Sequence, residues 1–302
     1  MAVSLVDVFK NTLLLTSYSY AAIVGCIYIL QRKLQYFPTA SAPPDVCNLA
    51  HTYQDMEDFQ VLTTDGLPLR GWLWREQNSK IFVLHLHGNA GNRFHRLHWA
   101  SAVKRTLSCT IALFDYRGFG GNPGSISEQG LTKDALAAIL WANAEAERSN
   151  QKLVLHLESI GSVAGLSALA KISAVNVCGI VVEGGLSSCY DLACSMLPYM
   201  PVKLLMRDKW NQALMSARGL RREIHFLSLH GAADRIVPIW CGVKLFDAVA
   251  CEHKRFVTFR SGDHNDLIFQ PGYFEALRNF YAEVEEEFDQ TYSDPQQRTK
   301  ND

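Results

Sequence analysis

Apolar and polar positions along the chain change period several times, and each change marks an element. Two alternating stretches, Phe59 to Thr63 and Leu69 to Trp74, flank Asp65-Gly66, which predicts an antiparallel hairpin. Beyond it, unbroken apolar runs predict strands over 81–86, 109–115, 152–157 and 177–183, and helical periodicity predicts helices over about 92–106, 127–148 and 161–172. A continuous apolar run suits a strand covered on both faces, and strict alternation with helices requires crossovers. The pattern therefore predicts an α/β architecture: a mostly parallel central sheet that opens with an antiparallel hairpin and carries helices on both faces. Phe226 to Gly231 and Lys254 to Arg260 add two further strands. A final helix carries Phe274, Leu277, Tyr281, Val284 and Phe288 on one stripe, a packing face.

Three stretches fall outside that alternation. Leu13 to Leu30 is uncharged, spans about 27 Å as a helix, and is closed by Arg32-Lys33. It predicts a retained membrane anchor over 1–36 rather than a cleaved signal peptide, because no small-residue cleavage site follows at the right distance. Lys10 opposes Arg32 and Lys33, so the flanking charges do not orient it. Residues 37–55 read as a proline- and alanine-rich linker, 56–290 as the folded domain, and 291–302 as a disordered tail. Between two strands, about 186–222, lies an apolar insertion broken by Pro198 and Pro201; it reads either as a lid whose Leu186, Met196, Leu197 and Met200 line a substrate pocket, or as ordinary packing of a helix pair.

Composition narrows the function classes. With 302 residues, 48% apolar and a formal net charge of −1, the chain can bury a large core and carries no basic field, so nucleic-acid binding has no support. The eight cysteines form no C-x-x-C pair and mostly sit in apolar stretches, which predicts buried thiols rather than disulfides. Oligomeric state is not legible.

The candidate chemistry lies at strand ends. The run 152–157 is followed by Ser159 and then by the small residues Gly161 to Gly165, a strand, sharp turn and helix that would hold a serine hydroxyl clear of the backbone. Asp234 lies in the loop after the strand that ends at Gly231, and His264 in the loop after the strand that ends near Arg260. Serine, acid and base thus follow in the chain order of an α/β-hydrolase triad, with His264 as general base and Asp234 as its orienting carboxylate. The strand 81–86 ends in His87-Gly88-Asn89-Ala90, where a backbone N–H of Asn89 or Ala90 would join that of Ile160 as an oxyanion hole. One departure stands out: the elbow motif G-x-S-x-G reads Leu157-Glu158-Ser159-Ile160-Gly161, so a leucine must find room where a glycine is usual, or shift the turn. Glu158 is read as structural, and Asp115 with Arg117 as an ion pair bracing a loop. His85 and His87 lack a third ligand of suitable spacing, so no metal and no cofactor is expected.

The segments His87-Gly88-Asn89-Ala90-Gly91-Asn92, Phe114-Asp115-Tyr116-Arg117-Gly118-Phe119-Gly120, Ser127 to Leu131 and Asp263-His264-Asn265-Asp266 resemble the family of α/β-hydrolase domain-containing protein 13 and the fungal bud-emergence (bem) hydrolases. Leu34 to Pro38 and Glu183 to Ser187 are also similar, and the match runs from about Leu34 to Glu285. The resemblance implies an α/β-hydrolase fold in a single-pass, membrane-anchored serine hydrolase with Ser159, Asp234 and His264 as its triad. The resemblance leaves the substrate open, a small molecule, a lipid or an acylated protein; an ester with an apolar acyl group is expected, and because related families include protein depalmitoylases a thioester enters by analogy. The alternative is a silent hydrolase fold, disabled by Leu157, that binds lipid or a partner at a membrane.

Overall fold

The computed structural model describes residues 4–172 and 174–293, with side chains as far as Glu286. A long helix, α1 (Leu5–Gln35), leads directly into a two-residue strand, β1 (Phe37–Pro38), and a short helix, α2 (Val46–Leu49). The hairpin follows as β2 (Met56–Leu62) and β3 (Pro68–Trp74), then β4 (Ile81–Leu86) and the two-residue β5 (Ala90–Gly91). A 3-10 turn at Arg93–Arg96 opens α3 (Leu97–Leu107), so the helix expected from about 92 starts later. Next come β6 (Thr110–Phe114), α4 (Glu128–Arg148), β7 (Lys152–Glu158), α5 (Ile160–Leu169) and β8 (Val177–Glu183). The insertion forms three short helices rather than a pair: α6 (Cys189–Met196), α7 (Val202–Leu205) and α8 (Gln212–Arg218). The chain closes with β9 (His225–Gly231), α9 (Ile239–Ala248), β10 (Lys254–Phe259) and α10 (Tyr273–Ser293).

Eight strands make one sheet in the order β10-β9-β8-β7-β4-β6-β3-β2. Strands β4 and β6 to β10 pair in parallel, and β3 meets both β2 and β6 antiparallel. Side chains alternate along each strand, so the sheet feeds two cores. Phe82, Leu84 and Leu86 join α4, α5, α8 and α9 on one face, while Ile81 and Val83 join α3 and α10 on the other. The two central strands β4 and β7 are buried almost throughout, which is why they read as continuous apolar runs. On α10 the buried stripe is Tyr273, Leu277, Phe280, Tyr281 and Val284, with Phe274 only partly covered; Phe288 lies outside the described side chains. The helix continues through residues 291–293, where a tail was expected, and the rest of that expectation, 294–302, lies outside the described residues.

The segment after α1 is bonded into the domain instead of hanging free. Phe37 N–H donates to the Asn89 carbonyl (2.8 Å) and Thr39 N–H to that of Gly91 (2.9 Å), while Gly120 and Gly121 donate to the carbonyls of Thr39 and Ala40 (2.9 Å each). Tyr36 is buried and its hydroxyl accepts from Trp210 Nε1 at 3.1 Å. Proline and alanine content had suggested a linker; the reason it fails is that backbone groups bond irrespective of side chain. All eight cysteines are free thiols: Cys109, Cys189, Cys241 and Cys251 are buried, but Cys26 and Cys47 are exposed.

Candidate active site

Ser159 stands between β7 and α5 with φ 51° and ψ −117°, a backbone conformation that costs a non-glycine residue roughly 1–3 kcal/mol. The surroundings hold it there. Its N–H donates to the Glu183 carbonyl (2.8 Å), and its own carbonyl accepts from Ser162 N–H (2.9 Å) and Ser162 Oγ (2.6 Å). Ser162 Oγ in turn accepts from Leu186 N–H (3.2 Å), which ties the root of the insertion to the elbow.

Leu157 fits without moving the turn. It is fully buried in β7, and its branch lies over Gly165, where a Cβ would stand 2.7 Å from Cδ2. Gly161, one turn earlier on the same face of α5, makes room as well, since a Cβ there would come within 2.1 Å of the Leu86 carbonyl; only glycine lets α5 approach β4 this closely. The space usually supplied by the first motif glycine is therefore supplied by Gly165, one helical turn farther along α5.

The acid and base loops meet at the serine. His264 Nε2 lies 3.0 Å from Ser159 Oγ, and His264 Nδ1 lies 2.7 Å from Asp234 Oδ2. The other oxygen of the buried Asp234 side chain accepts from the N–H groups of Ile236 (2.9 Å) and Val237 (2.7 Å), which fixes the carboxylate's orientation. Asp263 joins the two loops, accepting from Arg235 N–H (3.0 Å), the Arg235 guanidinium (2.5 Å) and His264 N–H (2.8 Å). Gly184 matters for packing, since a Cβ there would lie 2.9 Å from His264 Cε1. His230, also near Asp234 at 3.6 Å, has its pKa lowered, mainly by burial, and its Nε2 bonds the Val237 carbonyl at 2.8 Å. A neutral imidazole donating to that carbonyl leaves Asp234 to His264.

Of the three expected oxyanion residues, Ile160 opens α5 with its N–H in the first turn, where helical N–H groups have no intrahelical partner. Asn89 and Ala90 lie in the loop after β4, fastened from several sides: Asn89 Nδ2 donates to the Gln35 carbonyl (2.9 Å), its carbonyl holds Phe37, and Arg96 Nη1 reaches the Ala90 carbonyl (2.9 Å). The same guanidinium pairs with Glu158, Nε to Oε2 at 2.9 Å and Nη2 to Oε1 at 2.5 Å. Burial opposes ionisation of Glu158, but the charge and hydrogen bonds of Arg96, with His85 and His87 nearby, outweigh it and hold the carboxyl well below its usual range. Arg96 thus links the elbow to the loop after β4. Its role was hidden in the sequence, since it sits in an unremarkable basic stretch; Gln35, Gly184 and Asp263 lie in segments that carry the family resemblance, but their contacts with Asn89, His264 and Arg235 leave no mark of their own.

Other expectations sort differently. Asp115 and Arg117 do not pair with each other: Asp115 accepts from Arg93 N–H (2.6 Å) and Arg93 Nη1 (2.5 Å), while Arg117 binds Asp134 (2.7 Å) and Asp65 (3.0 Å). Both residues lie past the end of β6, where the chain turns and strand alternation no longer sets side-chain direction, so neighbours two apart need not meet. His85 packs on Trp99 and His156, His87 contacts Asp115, and burial pushes the His85 pKa well down. No cluster of three metal-ligating side chains occurs among the described residues. Of the expected pocket residues, Leu186 is buried beside the elbow and Met200 is half-buried, whereas Met196 and Leu197 face the exterior. A cavity of about 650 Å³ lies between α8 and α9, and none of its lining residues belongs to the triad or the oxyanion loop.

A nucleophile elbow, acid loop and base loop at the carboxyl edge of a sheet of this order define an α/β hydrolase. The structure is similar to the Pyrococcus furiosus esterase Pf2001 (TM-score 0.64, 16% identity, 82% of this chain and 98% of that one) and to the α/β hydrolase GrgF of Penicillium (TM-score 0.55, 17% identity, 76% and 97%). In sequence it is 31% identical over 230 residues to the membrane protein YNL320W of Saccharomyces cerevisiae (75% of this chain, 80% of that one). It is 28% identical over 268 residues to protein bem46 of Schizosaccharomyces pombe (86% and 88%) and 28% over 276 residues to the α/β-hydrolase domain-containing protein WAV2 of Arabidopsis thaliana (82% and 86%). No protein-family model matches the chain. The chain belongs to the bem46-related family of α/β-hydrolase domain-containing proteins.

Proposed function

We propose that the protein is a membrane-anchored serine hydrolase that cleaves an ester or thioester with an apolar acyl group. The observation that carries this reading is the continuous relay from Ser159 Oγ through His264 to Asp234, at 3.0 and 2.7 Å. In the reaction Ser159 Oγ attacks the acyl carbonyl while His264 Nε2 takes the hydroxyl proton. Asp234 keeps Nδ1 protonated and stabilises the imidazolium. Negative charge on the former carbonyl oxygen is met by the N–H groups of Ile160 and of Asn89 or Ala90, and its collapse expels the alcohol or thiol, which leaves with the proton from His264. Water, deprotonated by His264, then releases the acid from Ser159.

The anchored location is supported by α1, 31 residues long and without a buried residue, and by the yeast relative, described as a membrane protein. An apolar acyl group is supported by the apolar insertion rooted at Leu186. The silent alternative rests on Leu157; the room Gly165 leaves for that side chain supports the enzyme reading instead. Labelling with a fluorophosphonate probe tests the reading: folded wild-type protein reacts and Ser159→Ala does not. Absence of labelling in folded wild-type protein would return the silent module.

A further inference from the structure

Helix α1 does not stand clear of the domain. Positions 20, 24, 27, 31 and 35 recur at three- and four-residue steps and so share one face, and Val24, Ile27, Gln31 and Gln35 are half-buried on it. That face lies against the insertion. Arg32 grips Asp208 with two bonds, of 2.8 and 3.1 Å. Gln31 donates to the Leu205 carbonyl (3.2 Å) and accepts from Arg207 N–H (2.7 Å), and the Arg207 guanidinium lies 4.5 Å from the Tyr28 ring. At the far end the Tyr20 hydroxyl donates to the Tyr199 carbonyl at 2.7 Å. Tyr20 to Arg32 covers about 18 Å along a helix axis. The turn at Tyr199 therefore rides beside the middle of the uncharged stretch Leu13 to Leu30, not at its end.

We propose that residues 196–207 are a second membrane-contacting element, a collar inserted into the same leaflet that α1 crosses. The proposal rests on the anchored reading of α1. A turn held at that height beside a spanning helix lies in hydrocarbon, and this sets two physical conditions: outward side chains must be apolar, and backbone polar groups must be satisfied within the protein. Both are met. Tyr199 is 88% and Leu204 81% exposed, with Met196 and Leu197 beside them, an apolar display that water would penalise and acyl chains accept. Pro198 and Pro201 bring no N–H, and those of Leu197, Met200, Val202, Leu204, Leu205 and Met206 donate to carbonyls between Ala193 and Val202. The carbonyls of Tyr199 and Leu205 accept from α1. Lys203 and Arg207, the charged side chains of the segment, are long enough to reach headgroups, where cations meet anionic lipid favourably.

The test uses the full chain in lipid nanodiscs, with a photoreactive p-benzoylphenylalanine placed singly and lipid adducts read by mass spectrometry. Positions Tyr199 and Leu204 probe the collar, Leu14 and Ile23 the anchor, and Leu62, exposed on the hairpin, the water phase. Trypsin resistance of each variant confirms folding. The expected result is lipid adducts at Tyr199 and Leu204 in yields similar to those at Leu14 and Ile23 and roughly tenfold above Leu62. Adducts at Leu14 and Ile23 without adducts at Tyr199 and Leu204 would overturn the collar and leave the anchor in place. Adducts at none of the four would remove the anchor, and the collar with it.

Discussion

The elbow at Ser159 and the insertion after Leu186 are both apolar segments with a backbone that needs satisfying, and they solve the problem in opposite ways. At the elbow every apolar side chain is enclosed, and strain is held by packing: Leu157 over Gly165, α5 against Leu86, Ser159 bonded to Glu183. In the insertion most backbone N–H groups bond within the segment, but the side chains of Tyr199 and Leu204 face outward and polar contacts pin the segment to α1. Close packing makes a site of one geometry. A surface that is apolar outside and pinned to its neighbour by polar contacts suits a boundary between phases.

Four experiments sharpen or break this contrast. The largest effect belongs to the elbow: Ser159→Ala should lower kcat for ester hydrolysis by roughly 10⁴-fold or more with little change in the unfolding midpoint. A variant that keeps a tenth of the activity would mean that chemistry resides elsewhere. Next is Gly165→Ala, which places a methyl 2.7 Å from Leu157 and should destabilise by about 1–3 kcal/mol, measured by chemical denaturation. Combined with Leu157→Ala it should recover part of that loss, because the two sites share one space. Simple additivity of the two substitutions would show that they do not.

Smaller effects are expected at the insertion and at the loop clamp. Arg32→Ala leaves Asp208, whose side chain is 5% exposed, without its cation; since Arg32 itself is 42% exposed, the cost should be about 1–2 kcal/mol in nanodiscs. Protease cleavage should then rise first between 196 and 209 if the contrast is right, and uniformly if it is wrong. The smallest effect concerns pH. The Glu158 carboxyl is depressed in the folded protein, so its contribution to stability is present above the ordinary glutamate pKa and is lost as pH falls through the folded value. Glu158→Gln should therefore flatten the fall in stability between pH 5 and pH 3, roughly the range over which that contribution begins to be lost in the wild type.

Much of the fold was legible because parallel strands buried on both faces must read as apolar runs; β4, β7 and β8 lie within a residue or so of where the pattern put them. The chain order of Ser159, Asp234 and His264 was legible too, since each follows a strand. The link from Arg96 to Glu158 and Ala90 was not, because a bond between residues far apart in sequence leaves no period. Asp115 and Arg117 misled for the same reason: closeness in sequence suggested a pair, and each found its partner on another element.

Local chemistry by itself determined the alternation of strands and helices, the uncharged stretch of α1 and the residue types able to attack, orient and exchange a proton. Those follow from side-chain periodicity and intrinsic reactivity, which are written residue by residue. Only the tertiary structure decided that Gly165 makes room for Leu157, that the segment after α1 braces the loop after β4, and that Tyr199 sits beside Tyr20. These depend on which surfaces face each other once the sheet is wound, and close packing resolves that only when the whole chain is in place.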